Sequence, residues 1–255
     1  MLIEKPLAPS PLSPIIQRDE PSQRVLRTPS PTVGEGKRQV VPSEGTSGTA
    51  EALSPQRIYR SLMTAHVPGC DEFDAHVAAS ILAVSAGDAG DFTQPQSASA
   101  GLSKEQFGAL AREFFPKASA CRLFAPCETV ERPDEELCLL ELLERCTTSR
   151  EPIEMLFAAM IARRSQRPNH LWQDLGLNNR GELSELMKRH FKPLAMRNTG
   201  DMKWKKFFYR QICADEGFTL CAAPSCAECD DFENCFGEEP GESLLARARR
   251  AAEAG

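Results

Sequence analysis

From residue 55 onward, apolar side chains recur at helical spacing, and no stretch alternates as a strand would. Ser54-Pro55 reads as a serine cap followed by proline in the first turn, and Ile58, Tyr59, Leu62 and Met63 then repeat three and four apart. A second helix is predicted over Asp71 to Ala86, with Phe73, Val77, Ile81 and Val84 on one side. Residues 87–101 are rich in Gly, Ser, Asp and Gln and read as a loop. Ser103 and Gln106 have capping-box spacing ahead of Phe107, Leu110, Ala111 and Phe114, and Pro116 ends that helix.

The five leucines between 134 and 147 give a wide apolar surface and predict a central, well-buried helix. Pro152 opens the next one, where Ile153, Leu156, Phe157, Met160 and Ile161 match the helical template in full. A short turn over His170 to Leu175 is expected with Asn169 as its cap. Leu183, Leu186, Met187 and Phe191 mark another helix. The last strong one runs from Asp201 to Ala214, with Gly217 as terminator. The predicted fold is all-α: a bundle of about seven helices with a cysteine-rich loop appended.

Composition bounds the domain. Nine of the 19 prolines fall in residues 1–55, and the first aromatic residue is Tyr59. Such a segment buries too little apolar surface to offset its ordering entropy, so 1–54 is expected to be a disordered Pro/Ser-rich arm. The helical domain is expected over 55–241, with a polar tail at 242–255 that forms a frayed helix. No apolar run reaches the length of a membrane span. The N-terminus lacks a basic segment leading into an apolar one, so no secretory signal is read and a cytoplasmic location is expected. A net charge of −6 argues against a general nucleic-acid binder.

The ten cysteines are unevenly placed. Cys221, Cys226, Cys229 and Cys235 form C-x4-C-x2-C-x5-C. A reducing compartment disfavours disulfides there. Pro224 prevents a continuous helix between the first two. The chain must curl, which aims backbone N–H groups at the sulfurs. Compact runs of four thiolates suit iron–sulfur clusters. Structural zinc more often uses two separated pairs, and it remains the alternative metal.

Charge is also segregated. Eight basic residues lie between Lys188 and Arg210 against one acid, Asp201, whereas nine acids and no Lys or Arg occupy 211–246. At 100° per residue, Trp204, Phe207, Phe208 and Ile212 share one face, and Lys203, Lys206, Arg210 and Cys213 share the other. Positive charge beside thiolates favours metal binding, and the three cations are expected to attract small oxyanions. Cys213 and His170 are candidate extra metal ligands.

Other reactive residues read as structural. His66, His76 and His190 are expected at the surface or in the core. Cys138 and Cys146 are expected to be buried filler on one helix face. Cys70, Cys121 and Cys127 make a weak second metal set, and Asp230 with Glu233 reads as a turn cap. No G-x-S-x-G, P-loop or G-x-G-x-x-G occurs, so nothing marks a hydrolase, kinase or dehydrogenase. The protein is expected to be a carrier, with no catalytic residues.

The segment DMKWKKFFYRQICADEGFTLCAAPSCAECDDFENCFG, Asp201 to Gly237, resembles the C-terminal signature of the NifQ family of nitrogen-fixation proteins. NHLWQDLGLNNRGELSELMKRHF, Asn169 to Phe191, is also similar to that family. The resemblance spans about residues 55–237. It implies a cluster of iron and sulfur that contains molybdenum, held by Cys221, Cys226, Cys229 and Cys235. It further implies donation of molybdenum to the iron–molybdenum cofactor of nitrogenase. The implied partners are the cofactor-assembly scaffold and the nitrogenase iron protein, with molybdate or a molybdenum–sulfur species as cargo. Membrane partners are not expected, and nucleic acid is disfavoured. Two rival readings stay open: a zinc-stabilised interaction or nucleic-acid-binding regulatory module, and a simple iron–sulfur electron carrier.

Overall fold

The computed structural model describes residues 54–88, 96–118, 127–215, 217 and 232–253. The N-terminal arm, Cys121, Cys221, Cys226, Cys229 and Asp230 lie outside the described residues.

Twelve helices and no strand occur among the described residues. They are α1 (Pro55–Thr64), α2 (Glu72–Asp88), α3 (Gln96–Ser99), α4 (Lys104–Phe114), α5 (Asp134–Arg145) and α6 (Pro152–Ser165). After these come α7 (Leu171–Asp174), α8 (Arg180–His190), α9 (Lys192–Ala195), α10 (Trp204–Asp215), α11 (Phe232–Phe236) and α12 (Leu244–Glu253). The all-α reading holds, and the expectation of about seven helices is too low. The extra elements include α3, α9 and α11, each of four or five residues. An element that short never completes the repeat that betrays a helix in sequence.

The caps form as the residue types dictate. Ser54 Oγ accepts from the Arg57 N–H, and Ser103 and Gln106 close a reciprocal capping box. Glu154 Oε2 accepts from Ser149 N–H at 2.9 Å and from Glu151 N–H, so a buried carboxylate ties down the chain that leads into α6.

The centre of the bundle differs from the sequence reading. It is α2 and α6, not α5, that are buried on all sides: residues 77–85 and 156–162 are buried without a break. Alanine and serine at 78–80, 83 and 85 let neighbours approach α2 from every direction, so an apolar stripe understates its burial. On α5, Leu139, Leu142 and Leu143 face the core while Leu137 is 40% exposed. Cys146 is buried as predicted, but Cys138 is only half-buried.

α1 packs on α2, α5 on α6, α10 on α5, and α12 against both α1 and α2. Within the tail, Leu245 of α12 is fully buried. Gly176 follows α7 at φ +73°, and a Cβ there would lie 2.7 Å from Val84 Cγ1 and 2.9 Å from the Ser80 carbonyl. Only glycine lets the chain cross α2 this closely.

The predicted surface or core histidines are structural pins. His190 is buried with Nε2 2.9 Å from Asp74 Oδ1. His76 bridges the Tyr59 hydroxyl at 2.9 Å and Glu182 Oε2 at 3.2 Å. Burial pushes the Glu182 carboxyl up, but hydrogen bonds from His76 and from the Asn178 side chain and N–H outweigh it and bring its pKa to about 2.

Candidate functional site

Helix α10 begins three residues later than its apolar pattern suggests, at Trp204. Asp201 sits at φ +54°. Asn198 clamps Met202 through its N–H at 2.9 Å and its carbonyl at 2.8 Å. Arg180, at the start of α8, donates to the Asp201 and Met202 carbonyls. The turn therefore stays closed up to Lys203. Trp204, Phe207 and Phe208 are buried and Ile212 packs against the same core, as the helical wheel predicts.

The opposite face meets the last turn of the cysteine segment. Lys203 donates its N–H to the Cys235 carbonyl at 2.8 Å and its ammonium to the Glu233 carbonyl at 3.0 Å. The first donation uses an N–H that a helix start would otherwise leave without a partner. Cys235 and Phe236 pack against the core, and the Phe236 ring lies 3.3 Å from where a Cβ on Gly200 would stand. Cys235 is half-buried. Of the four motif thiols it alone lies within the described residues, and its carbonyl is held by Lys203.

The chain beyond Cys235 is strapped to α7. Gln173 Nε2 donates to the Pro240 carbonyl at 3.3 Å. His170 Nδ1 lies 3.5 Å from Glu239 Oε1, and Arg180 Nη1 lies 3.7 Å from Glu239 Oε2. The cap of α7 is His170, not Asn169 as expected from sequence. The Asn169 amide is used elsewhere, donating to Asp174 Oδ1 at 3.0 Å.

These straps enclose a cavity of about 450 Å³ lined by Asn169, His170, Leu171, Lys203, Lys205, Lys206, Asn234 and Glu239. Three of the candidate residues, His170, Lys203 and Lys206, thus share one wall. Arg210 and Cys213 lie further along α10 and are not part of the lining. Among the described residues no three His, Cys, Asp or Glu side chains converge as a metal site.

Charge in the cavity wall is unevenly matched. Lys205 Nζ lies 2.6 Å from Asp174 Oδ2, and its pKa is lowered by burial, partly offset by that carboxylate. The Lys203 ammonium rests on a neutral carbonyl and makes no ion pair among the described residues. Lys206 is exposed. The cavity therefore offers positive charge beside the segment that carries Cys235, an arrangement that attracts small anions.

A sequence model of the NifQ family matches residues 77–237, which include all four motif cysteines and most of the cavity wall. The chain belongs to the NifQ family. It is 41% identical over 176 residues to a protein named NifQ homolog of Sinorhizobium fredii, covering 68% of this chain and 75% of that protein. It is 39% identical over 145 residues to NifQ of Rhodobacter capsulatus, covering 57% and 79%. With NifQ of Azotobacter vinelandii the identity is 36% over 151 residues, covering 54% and 77%. No solved structure matches the chain.

Within this NifQ stretch, reading the residues alone missed Asp174, Arg180, Lys205 and Asn234, and Glu239 just beyond it. The Asp174–Lys205 pair spans 31 positions and Arg180–Glu239 spans 59, and neither has a local signature. Lys205 does interrupt the basic face at an angle nearer the apolar one, which is the only hint that it is buried.

Proposed function

We propose that this chain carries molybdenum in an iron–sulfur cluster and supplies it for assembly of the iron–molybdenum cofactor in nitrogen fixation. The observation that carries the reading is the C-x4-C-x2-C-x5-C motif inside the family-matched stretch, with its last cysteine moored by Lys203 beside a lysine-lined cavity. The donor set fits such a cluster: four closely spaced thiols, the described one half-buried, with its backbone carbonyl taken by the Lys203 N–H. Cys221, Cys226, Cys229 and Cys235 would hold the group, which supplies soft sulfur ligands that suit reduced molybdenum better than the hard molybdate anion.

The chain's own residues have distinct tasks in this account. Lys203 and Lys206 draw a small oxyanion toward the cysteine segment. Lys203 also fixes that segment's end. Gln173, and His170 and Arg180 through Glu239, hold the chain that follows. Cys213 and His170 are the side chains proposed to complete the molybdenum site. The protein acts as a carrier, and it docks on the cofactor-assembly scaffold and the nitrogenase iron protein.

The test is to replace Cys221, Cys226, Cys229 and Cys235 singly by Ala, with Cys138→Ala as control. Iron and molybdenum are then measured in protein purified without oxygen. Each motif variant is expected to lose molybdenum, whereas C138A keeps both metals. Wild-type metal content in all four motif variants would refute the assignment.

A further inference from the structure

Two exposed patches of opposite charge adjoin the turn between α5 and α6. On α5, Asp134, Leu137, Glu141 and Glu144 fall within about 80° of one another at helical spacing. All four are exposed, and the three carboxylates make no hydrogen bond or ion pair with the described residues. The dipole of α5 accounts for an acid in its first turn, but its C-terminal end disfavours Glu144.

The second patch lies where α8 gives way to α9. Thr148 donates its N–H to the His190 carbonyl at 2.8 Å, and its Oγ1 accepts from the Lys192 N–H at 2.9 Å. This stitch brings the turn that carries Arg150 against the end of α8 and the start of α9. Arg150, Lys188, Lys192 and Arg197 are exposed, and their side chains make no hydrogen bond or ion pair with the described residues. Arg189 is already paired with Asp71 and Glu185. Glu151 adds one negative charge beside Arg150 and leaves the patch strongly positive. Met196, one turn from Lys192 and next to Arg197, is 68% exposed.

Met196 and Leu137 are two of the three large apolar side chains exposed among the described residues. One stands in a basic patch and the other in an acidic patch, so the two surfaces match in charge and in apolar contact. The whole chain carries a net charge of −6, which repels a polyanion such as nucleic acid from the basic corner. The matching carboxylates are on the chain itself. The turn at 146–150 leads straight from the acidic face to the stitched corner. A two-fold axis at that corner lets each face of one chain meet the opposite face of another, which closes the assembly at two copies.

We propose that the protein forms a homodimer in which the acidic α5 face of each chain docks on the basic α8–α9 corner of its partner. Neither face includes a residue given a task in molybdenum handling.

The test is sedimentation velocity of the full-length protein, purified with its metals, at about 50 mM and about 500 mM salt. A dimer at micromolar concentration is expected in low salt, with association about tenfold weaker or more in high salt, where exposed charges are screened. Lys188→Glu combined with Lys192→Glu makes both faces acidic, and Glu141→Lys combined with Glu144→Lys makes both basic. Each double variant is expected to be monomeric on its own in low salt, and an equimolar mixture of the two is expected to regain a dimer with one chain of each. All four positions are exposed, so both variants fold, which far-UV circular dichroism checks. The proposal is overturned by a wild-type chain that stays monomeric in low salt, by a double variant that dimerises alone as wild type does, or by a mixture that remains monomeric.

Discussion

The Asp174–Lys205 pair ties α7 to α10, and removing one partner at a time tests whether it is a structural tie. Lys205→Met keeps the length of the side chain and removes the charge. Opposite unit charges 2.6 Å apart attract by about 6 kcal/mol at an effective dielectric near 20, before the desolvation cost is subtracted. The Asp174 side chain is 3% exposed, so K205M leaves a buried carboxylate that keeps the Asn169 amide but loses its ion-pair partner. Losing one member of a buried pair costs about 3–5 kcal/mol. Asp174→Asn should cost less, because the Lys205 side chain is 19% exposed and burial already favours its neutral form. The double variant should recover most of the loss, since no unmatched charge remains. Urea unfolding followed by far-UV circular dichroism gives the three differences. The expected coupling is about 2–4 kcal/mol. Single losses that sum to the double loss within about 0.5 kcal/mol would refute the pairing as the source of rigidity.

Further outcomes follow from the same contacts. Glu182 has a folded pKa of about 2 against an ordinary value of 4.5, so its contribution is complete above pH 4.5 and is lost as pH falls through 2. Over that window wild type should lose up to about 3 kcal/mol more than Glu182→Gln, and parallel acid titrations of the two would contradict this. Gly176→Ala forces a side chain onto Val84 and the Ser80 carbonyl at φ +73°, and a loss of about 2 kcal/mol or more is expected in thermal melts. An unchanged melting temperature would show that the crossing over α2 is looser than described. Lys206→Gln should slow molybdenum loading about two- to tenfold at low molybdate and low salt without altering iron content. Equal loading rates would remove the lysine cavity from the uptake route.

Much of the fold was legible because helices announce themselves locally. Ser54-Pro55, Ser103 with Gln106, and Pro152 state their starts in adjacent residues, and the structure places helix ends at each. What stayed hidden depends on partners distant in sequence. The central position of α2 comes from small residues whose value is the closeness of their neighbours. Cysteine spacing and the basic face of α10 were visible because each is a local pattern. The mooring of Cys235 by Lys203, the strap from α7 to Glu239 and Pro240, and the burial of Lys205 required the chain to return from 30 to 70 residues away.

Metal analysis of the protein, purified without oxygen from cells supplied with molybdate, tests the central claim most directly. Iron, molybdenum and acid-labile sulfide together in a brown protein are predicted. A colourless protein holding one zinc and no iron would contradict the account.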